Sequence, residues 1–129
     1  AATLDAVRLD APCSATGTFR RHPDVLWAAR PGDVASLAAV QSRLLDAAAD
    51  KTRPGGRLVY CVCSLEPEEG EAQVEAFLAR RPDMRLEPIT LGEAGAPAAS
   101  LTARGTLRLL PHHLEGGQDG FFAARFVRN

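Results

Sequence analysis

Short apolar runs alternate with longer stretches of helical periodicity, and proline or glycine closes most of them. Leu4 to Leu9, with Leu4, Val7 and Leu9 apolar, has the length of a buried strand, although its two-fold alternation is imperfect. Pro12 can donate no ladder hydrogen bond and drives Ala11 toward extended backbone. The strand therefore stops at Asp10 and enters a loop closed by Gly17. Pro31-Gly32 breaks the chain, and Asp33 is placed to cap the next helix. From Val34 to Ala49 the residues Leu37, Val40, Leu44, Leu45 and Ala48 recur at helical spacing, which predicts an amphipathic helix over one face of a sheet. Pro54-Gly55-Gly56 ends that connection. Arg57 to Val62 is a second buried strand, short and flanked by turn signals.

Ser64-Leu65-Glu66-Pro67 opens another helix, with Pro67 suited to its first position. Glu68, Glu69 and Glu71 crowd its positive end and Arg80-Arg81 its negative end, as the helix dipole favours. Val74, Phe77 and Leu78 form its buried stripe, and Pro82 stops it. Met84 to Ile89 reads as a third strand. Leu91 to Arg104 is small, polar and rich in glycine and proline, hence a surface loop. Thr106 to Leu110 is a short strand, Asp119-Gly120 belongs to a turn, and Phe121 to Val127 is the final strand. Phe121 and Phe122 read as core residues because they begin that strand.

This order predicts an α/β fold. No helix separates the last two strands, so the last is expected to run antiparallel to the others. The chain opens on a buried-type strand, which usually has neighbours on both sides, and no GxGxxG loop is present. The expectation is the second half of a doubly wound domain. An edge left bare by such a division is expected to favour self-association.

Asp10 and Cys13 fall at a strand's carboxyl end, where open α/β sheets bind ligands. Leu58 to Cys63 is a second ending of the same kind, expected beside the first. Cys61 and Cys63 face one side if the strand persists that far. Beyond the first loop, Arg20, Arg21 and His22 form either a solvated loop or a phosphate contact beside the site.

Composition narrows the class. The chain has 129 residues, enough for one domain with a modest core. A net charge of -1 argues against a domain built mainly to coat nucleic acid. All cations but Lys51 are arginine, which suits bidentate phosphate contacts and equally fits a biased base composition. Three cysteines are an odd number and two lie one residue apart, so a disulfide framework is not expected and a reducing cytoplasm is. No apolar run approaches the roughly 20 residues of a membrane span. His112-His113 lacks the paired spacing of a metal site, so none is expected.

Asp10-Ala-Pro-Cys-Ser-Ala-Thr-Gly17, followed by Arg20-Arg-His-Pro-Asp24, is similar to the first cysteine motif of the Sun/Fmu (RsmB-type) family of RNA 5-methylcytosine methyltransferases. Gly55-Gly-Arg-Leu-Val-Tyr60 with Cys63-Ser64 and Pro67-Glu-Glu69 resembles its second. Leu110-Pro111 with Asp119-Gly-Phe-Phe122 resembles its closing segment. Two cysteine motifs fifty residues apart, with that segment, make the resemblance specific. It runs from Leu4 to Arg128.

The resemblance implies a Rossmann-like class I methyltransferase fold that uses S-adenosylmethionine to methylate carbon 5 of cytosine in RNA, ribosomal RNA being the expected substrate. By position Cys63 matches the nucleophile, Cys13 the cysteine that assists product release, and Asp10 an acidic residue between cofactor and target base. Residues 1–129 would be the C-terminal half of the catalytic domain, with the N-terminal cofactor-binding half absent, and inactive alone. A helix start after Cys63 favours its thiolate, while acids at 66, 68, 69 and 71 oppose it. Cys61 and Val62 stand where the family more usually has a small or hydroxylated residue and Thr. The rival readings are an RNA-binding or protein-interaction module that keeps the fold without activity, and a thiol redox protein using Cys61 and Cys63.

Overall fold

A computed structural model describes residues 2–19, 21–24, 31–113 and 117–129. Five strands and two helices follow one another as β1 (Leu4–Asp10), α1 (Pro31–Lys51), β2 (Thr52–Val62), α2 (Glu71–Arg80), β3 (Met84–Leu86), β4 (Leu107–Leu109) and β5 (Phe121–Arg128). The strand order is β1-β2-β5-β3, with β4 also on β5. β1 and β2 are parallel neighbours, in register from Ala6 opposite Arg57 to Asp10 opposite Cys61. β5 is antiparallel to β2, β3 and β4, as the missing crossover helix predicts. β2 occupies one side of β5. β3 and β4 share the other, pairing with its last and first residues respectively.

The period-2 pattern of the central strands decides where the core lies. Leu58, Tyr60 and Val62 of β2 and Phe122, Ala124 and Phe126 of β5 are all buried on the face that α1 and α2 cover. Leu45, Ala48 and Ala49 of α1 and Val74 and Phe77 of α2 complete this cluster. Phe77 meets Phe126 edge to face, with ring centroids 4.9 Å apart.

The differences from the sequence reading have local causes. α1 already includes Pro31-Gly32, so Asp33 lies in its first turn and does not precede it. Proline is tolerated there because its missing N–H has no helical partner to lose. β2 begins at Thr52, directly after α1. The pairing jumps from Leu4 opposite Thr52 to Ala6 opposite Arg57, so Pro54-Gly55-Gly56 is a bulge inside the strand, turned by Gly55 at φ 81°. The second helix is divided: Pro67–Glu69 forms a 3-10 turn, and α2 starts only after Gly70, whose backbone is not helical. β3 is shorter than Met84 to Ile89. The 91–104 loop contains two 3-10 turns, Glu93–Gly95 and Ala98–Ser100.

β1 is less buried than its apolar pattern suggests, and Leu4 is 47% exposed. The strand lies at the edge of the sheet, with no neighbour beyond it among the described residues. Arg8 paired with Asp10 and Arg53 paired with Asp5 place charge along that edge, which works against pairing with another strand. Among the described residues no helix is long and apolar enough to cross a membrane.

Candidate active site

Parallel pairing of β1 with β2 delivers two strand ends to one place. The ladder runs one step past Asp10, with the Ala11 N–H donating to the Cys61 carbonyl at 3.1 Å. The loop after β1 then folds back over the loop after β2. The Gly17 N–H donates to the Cys63 carbonyl at 3.0 Å, and the Gly120 N–H donates to the Gly17 carbonyl at 2.7 Å. Three segments remote in sequence are thus stitched together by backbone alone. Thr16 adds a side-chain stitch, its hydroxyl accepting from the Leu65 N–H at 3.0 Å.

Cys13 and Cys63 meet inside this stitched region, with their sulfurs 3.5 Å apart and both residues half-buried. Both residues keep partial exposure to solvent. Burial, reinforced by the neighbouring Cys63, pushes the Cys13 thiol up to about 12, so at neutral pH it holds its proton and can donate to Cys63.

Cys61 does not join the pair. β2 ends at Val62, so the alternation that would align Cys61 with Cys63 is not continued. The Cys61 thiol donates instead to an Asp10 carboxylate oxygen at 3.1 Å and lies 3.6 Å from the Leu9 carbonyl. Burial and the facing Asp10 carboxylate raise it to about 11. In return the Cys61 hydrogen bond, with that of Arg8 at 2.6 Å, holds the Asp10 carboxyl below the usual range. Asp10 is therefore an ionised, solvent-facing carboxylate at the strand end.

The residues read as phosphate contacts behave differently from one another. Arg20 lies outside the described residues. Arg21 is engaged, its guanidinium gripping both oxygens of Asp119 at 2.6 to 3.0 Å. His22 is exposed. Asp119-Gly120, expected as a turn, is where the entry to β5 docks onto the first cysteine loop. His113 accepts the Leu110 N–H on Nδ1 at 3.2 Å, holding its own turn.

Several residues of the site escaped sequence reading. Glu69 stands with Glu68 and Glu71 in a run of acids that reads as helix-end charge, yet its side chain is wholly buried between the two cysteine loops. It accepts from Ser14 and Ser64, each the residue after a cysteine of the pair. The repeated Cys-Ser dipeptide was the available signal. Gln41 of α1 is also fully buried and joins the same network. Arg108 of β4 donates to the Ser64 carbonyl, pairs with Glu71 and lies over the Phe122 ring at 4.9 Å. It braces the second loop from the far side.

Gly17 tests the stitching. A Cβ there would sit 2.3 Å from the Gly120 carbonyl oxygen and 2.8 Å from that of Cys63. Backbone on both sides has little room to yield. Gly17→Ala is expected to destabilise the fold by about 1–3 kcal/mol, the usual range for overpacking. A lowered denaturant midpoint at unchanged slope would register it. An unchanged midpoint would mean the loops are not held this tightly.

Comparison with known proteins agrees with this geometry. The model of the family described as 16S rRNA methyltransferase RsmB/F matches residues 1–127. Ribosomal RNA small subunit methyltransferase B of Salmonella arizonae is 45% identical over 125 residues, which are 97% of this chain and 26% of that protein. The chain thus spans about a quarter of the length of the curated relatives it matches. Among solved structures, PH0851 superposes with a TM-score of 0.86 at 34% identity, covering 98% of this chain and 27% of the other. NSun6 from Pyrococcus horikoshii with SFG superposes with a TM-score of 0.69 at 32% identity, over 94% of this chain and 29% of that one. The mixed sheet is accordingly part of a Rossmann-like methyltransferase fold. With 127 of its residues matched by the family model, the chain belongs to the RsmB/F family of 16S rRNA methyltransferases.

Proposed function

We propose that this chain carries the reacting groups of an enzyme that methylates carbon 5 of cytosine in RNA, with Cys63 as nucleophile. The observation that carries the reading is the meeting of Cys13 and Cys63 at 3.5 Å, next to the strand end that presents Asp10. Carbon 5 of cytosine is a poor nucleophile. Addition of the Cys63 thiolate to carbon 6 makes carbon 5 enamine-like, which is covalent catalysis. A proton taken up at the ring nitrogen stabilises the charge that develops there, and Asp10, as an ionised carboxylate, is assigned to hold that N–H by accepting its hydrogen bond. Afterwards the carbon 5 proton passes to water. The electrons of that C–H bond restore the 5,6 double bond, and the Cys63 sulfur departs with the electrons of its bond to carbon 6. Cys13, in contact with Cys63, assists this last step. The base must be unstacked to reach the Cys63 sulfur, at a cost of about a few kcal/mol.

The donor in this reading is S-adenosylmethionine, which when bound supplies an electrophilic methyl group on a sulfonium sulfur. The donor set fits it in one respect: the ionised, exposed carboxylate of Asp10 suits the amino or hydroxyl groups of such a molecule. The sequence has no GxGxxG loop. The chain alone is therefore expected to bind the cofactor poorly and to transfer no methyl group.

The test is transfer of a labelled methyl group from S-adenosylmethionine to ribosomal RNA by the full-length enzyme, with digestion to nucleosides afterwards. Label is expected in 5-methylcytidine. Label on a base nitrogen or a ribose oxygen would overturn the assignment.

A further inference from the structure

The buried carboxylate of Glu69 touches neither sulfur, yet it is bonded to the residue after each of them. One oxygen accepts from the hydroxyls of Ser14 at 2.5 Å and Ser64 at 2.6 Å. The other accepts from the Ser14 N–H at 2.9 Å and the Gln41 carboxamide at 2.8 Å. Ser14 comes directly after Cys13 and Ser64 directly after Cys63. The same Gln41 nitrogen also donates to the Pro12 carbonyl at 2.9 Å, and the Tyr60 hydroxyl donates to the backbone carbonyl of Glu69 at 2.6 Å. The carboxylate is thus held from the sheet and from α1, and both cysteine loops converge on it.

From this geometry we infer that Glu69 is a positioning residue, a buried acceptor that draws the Cys13 and Cys63 loops together and sets the spacing of their sulfurs. The Ser14 N–H and the Gln41 NH2 can only donate, so one oxygen must accept twice. A second oxygen lets both serine hydroxyls donate to the same side chain as well. Glutamine has the shape but can satisfy the site only by turning its NH2 onto the serine hydroxyls and making them accept, which replaces two charge-assisted bonds by weaker neutral ones, and aspartate is one methylene shorter. Such bonds to a buried charge are among the stronger ones in proteins.

The inference rests on the proposed function for what the sulfurs do, but not for where they stand. Its test is therefore made on thiol proximity. The 129-residue chain carrying Cys61→Ser, so that a single pairing is possible, is equilibrated in glutathione buffers of graded oxidised-to-reduced ratio. The midpoint of Cys13–Cys63 disulfide formation gives the effective concentration of one thiol at the other. Glu69→Gln should lower that concentration by about tenfold or more, the equivalent of one lost charge-assisted bond. Ser14→Ala, which removes one limb and leaves the carboxylate three donors, should lower it several-fold and carries the test if Glu69→Gln does not fold. Met84→Ala, a core truncation remote from the loops, should lower thermal stability and leave the effective concentration unchanged. That contrast separates positioning from mere stabilisation.

Effective concentrations within about twofold of the parent in the folded Glu69→Gln and Ser14→Ala chains would overturn the proposal. The two readings fail separately. A full-length enzyme that methylates no cytosine would refute the catalytic assignment and leave the thiol distances as found. Unchanged thiol proximity beside intact methylation would refute only the role of Glu69.

Discussion

Replacing Cys63 by alanine is expected to cut methyl transfer by the full-length enzyme more than about a thousandfold, roughly 4 kcal/mol of barrier. The size comes from the chemistry. Without a nucleophile at carbon 6, carbon 5 has no enamine character, and no other group of the site can supply it. Cys13 is 3.5 Å away but is a half-buried thiol held protonated up to about 12, and Cys61 is turned onto Asp10 with its proton held up to about 11. Neither is a ready substitute, because the thiolate is the reactive form. The comparison is made by measuring initial rates of label transfer with both proteins at saturating RNA and cofactor. Turnover in the alanine variant near that of the parent would remove Cys63 from the mechanism.

Cys13→Ala is expected to do something different. Addition and methyl transfer need only Cys63, so they should persist. Departure of the Cys63 sulfur, to which the protonated Cys13 thiol donates and which frees the enzyme, should slow by about a hundredfold, within the range of a positioned acid. The consequence is a protein–RNA species that survives denaturing electrophoresis and carries the methyl label. A second sulfur in contact with the first is what makes this step local. A Cys13→Ala enzyme that turns over normally and leaves no such species would show that the second thiol is only a packing neighbour. The double variant should form no adduct, because Cys63 acts first.

Arg57 to Val62 was legible as a buried strand because it is a short apolar run between turn signals. Its Leu58, Tyr60 and Val62 lie in the core, as do Val74 and Phe77 of the stripe read for α2. Side-by-side placement of the two cysteine strands was also legible, from their order and their similar endings. Periodicity does not report which polar side chains become buried partners. Glu69 and Glu68 look alike in a run of acids, yet one is enclosed by four donors and the other is exposed. Gln41 lies on the helical stripe between Leu37 and Leu45 but carries no apolar signature. Arg21 finds Asp119 across 98 residues, a pairing set by the docking of β5 and by nothing local. The strand carrying Cys61 ends one residue before Cys63, so the local alternation argument lost its premise. Leu4 is exposed because β1 has no neighbour on its outer side among the described residues.

The most direct measurement concerns which sulfur attacks the base. RNA transcribed with 5-fluorocytidine in place of cytidine presents a carbon 5 substituent that cannot leave as a proton, so the adduct stalls after methyl transfer. Digestion of the stalled complex and mass spectrometry of the cross-linked peptide reads the attachment site. The nucleotide is expected on Cys63. Attachment at Cys13 or Cys61, or no attachment by an enzyme that methylates ordinary RNA, would contradict the assignment of Cys63 as nucleophile.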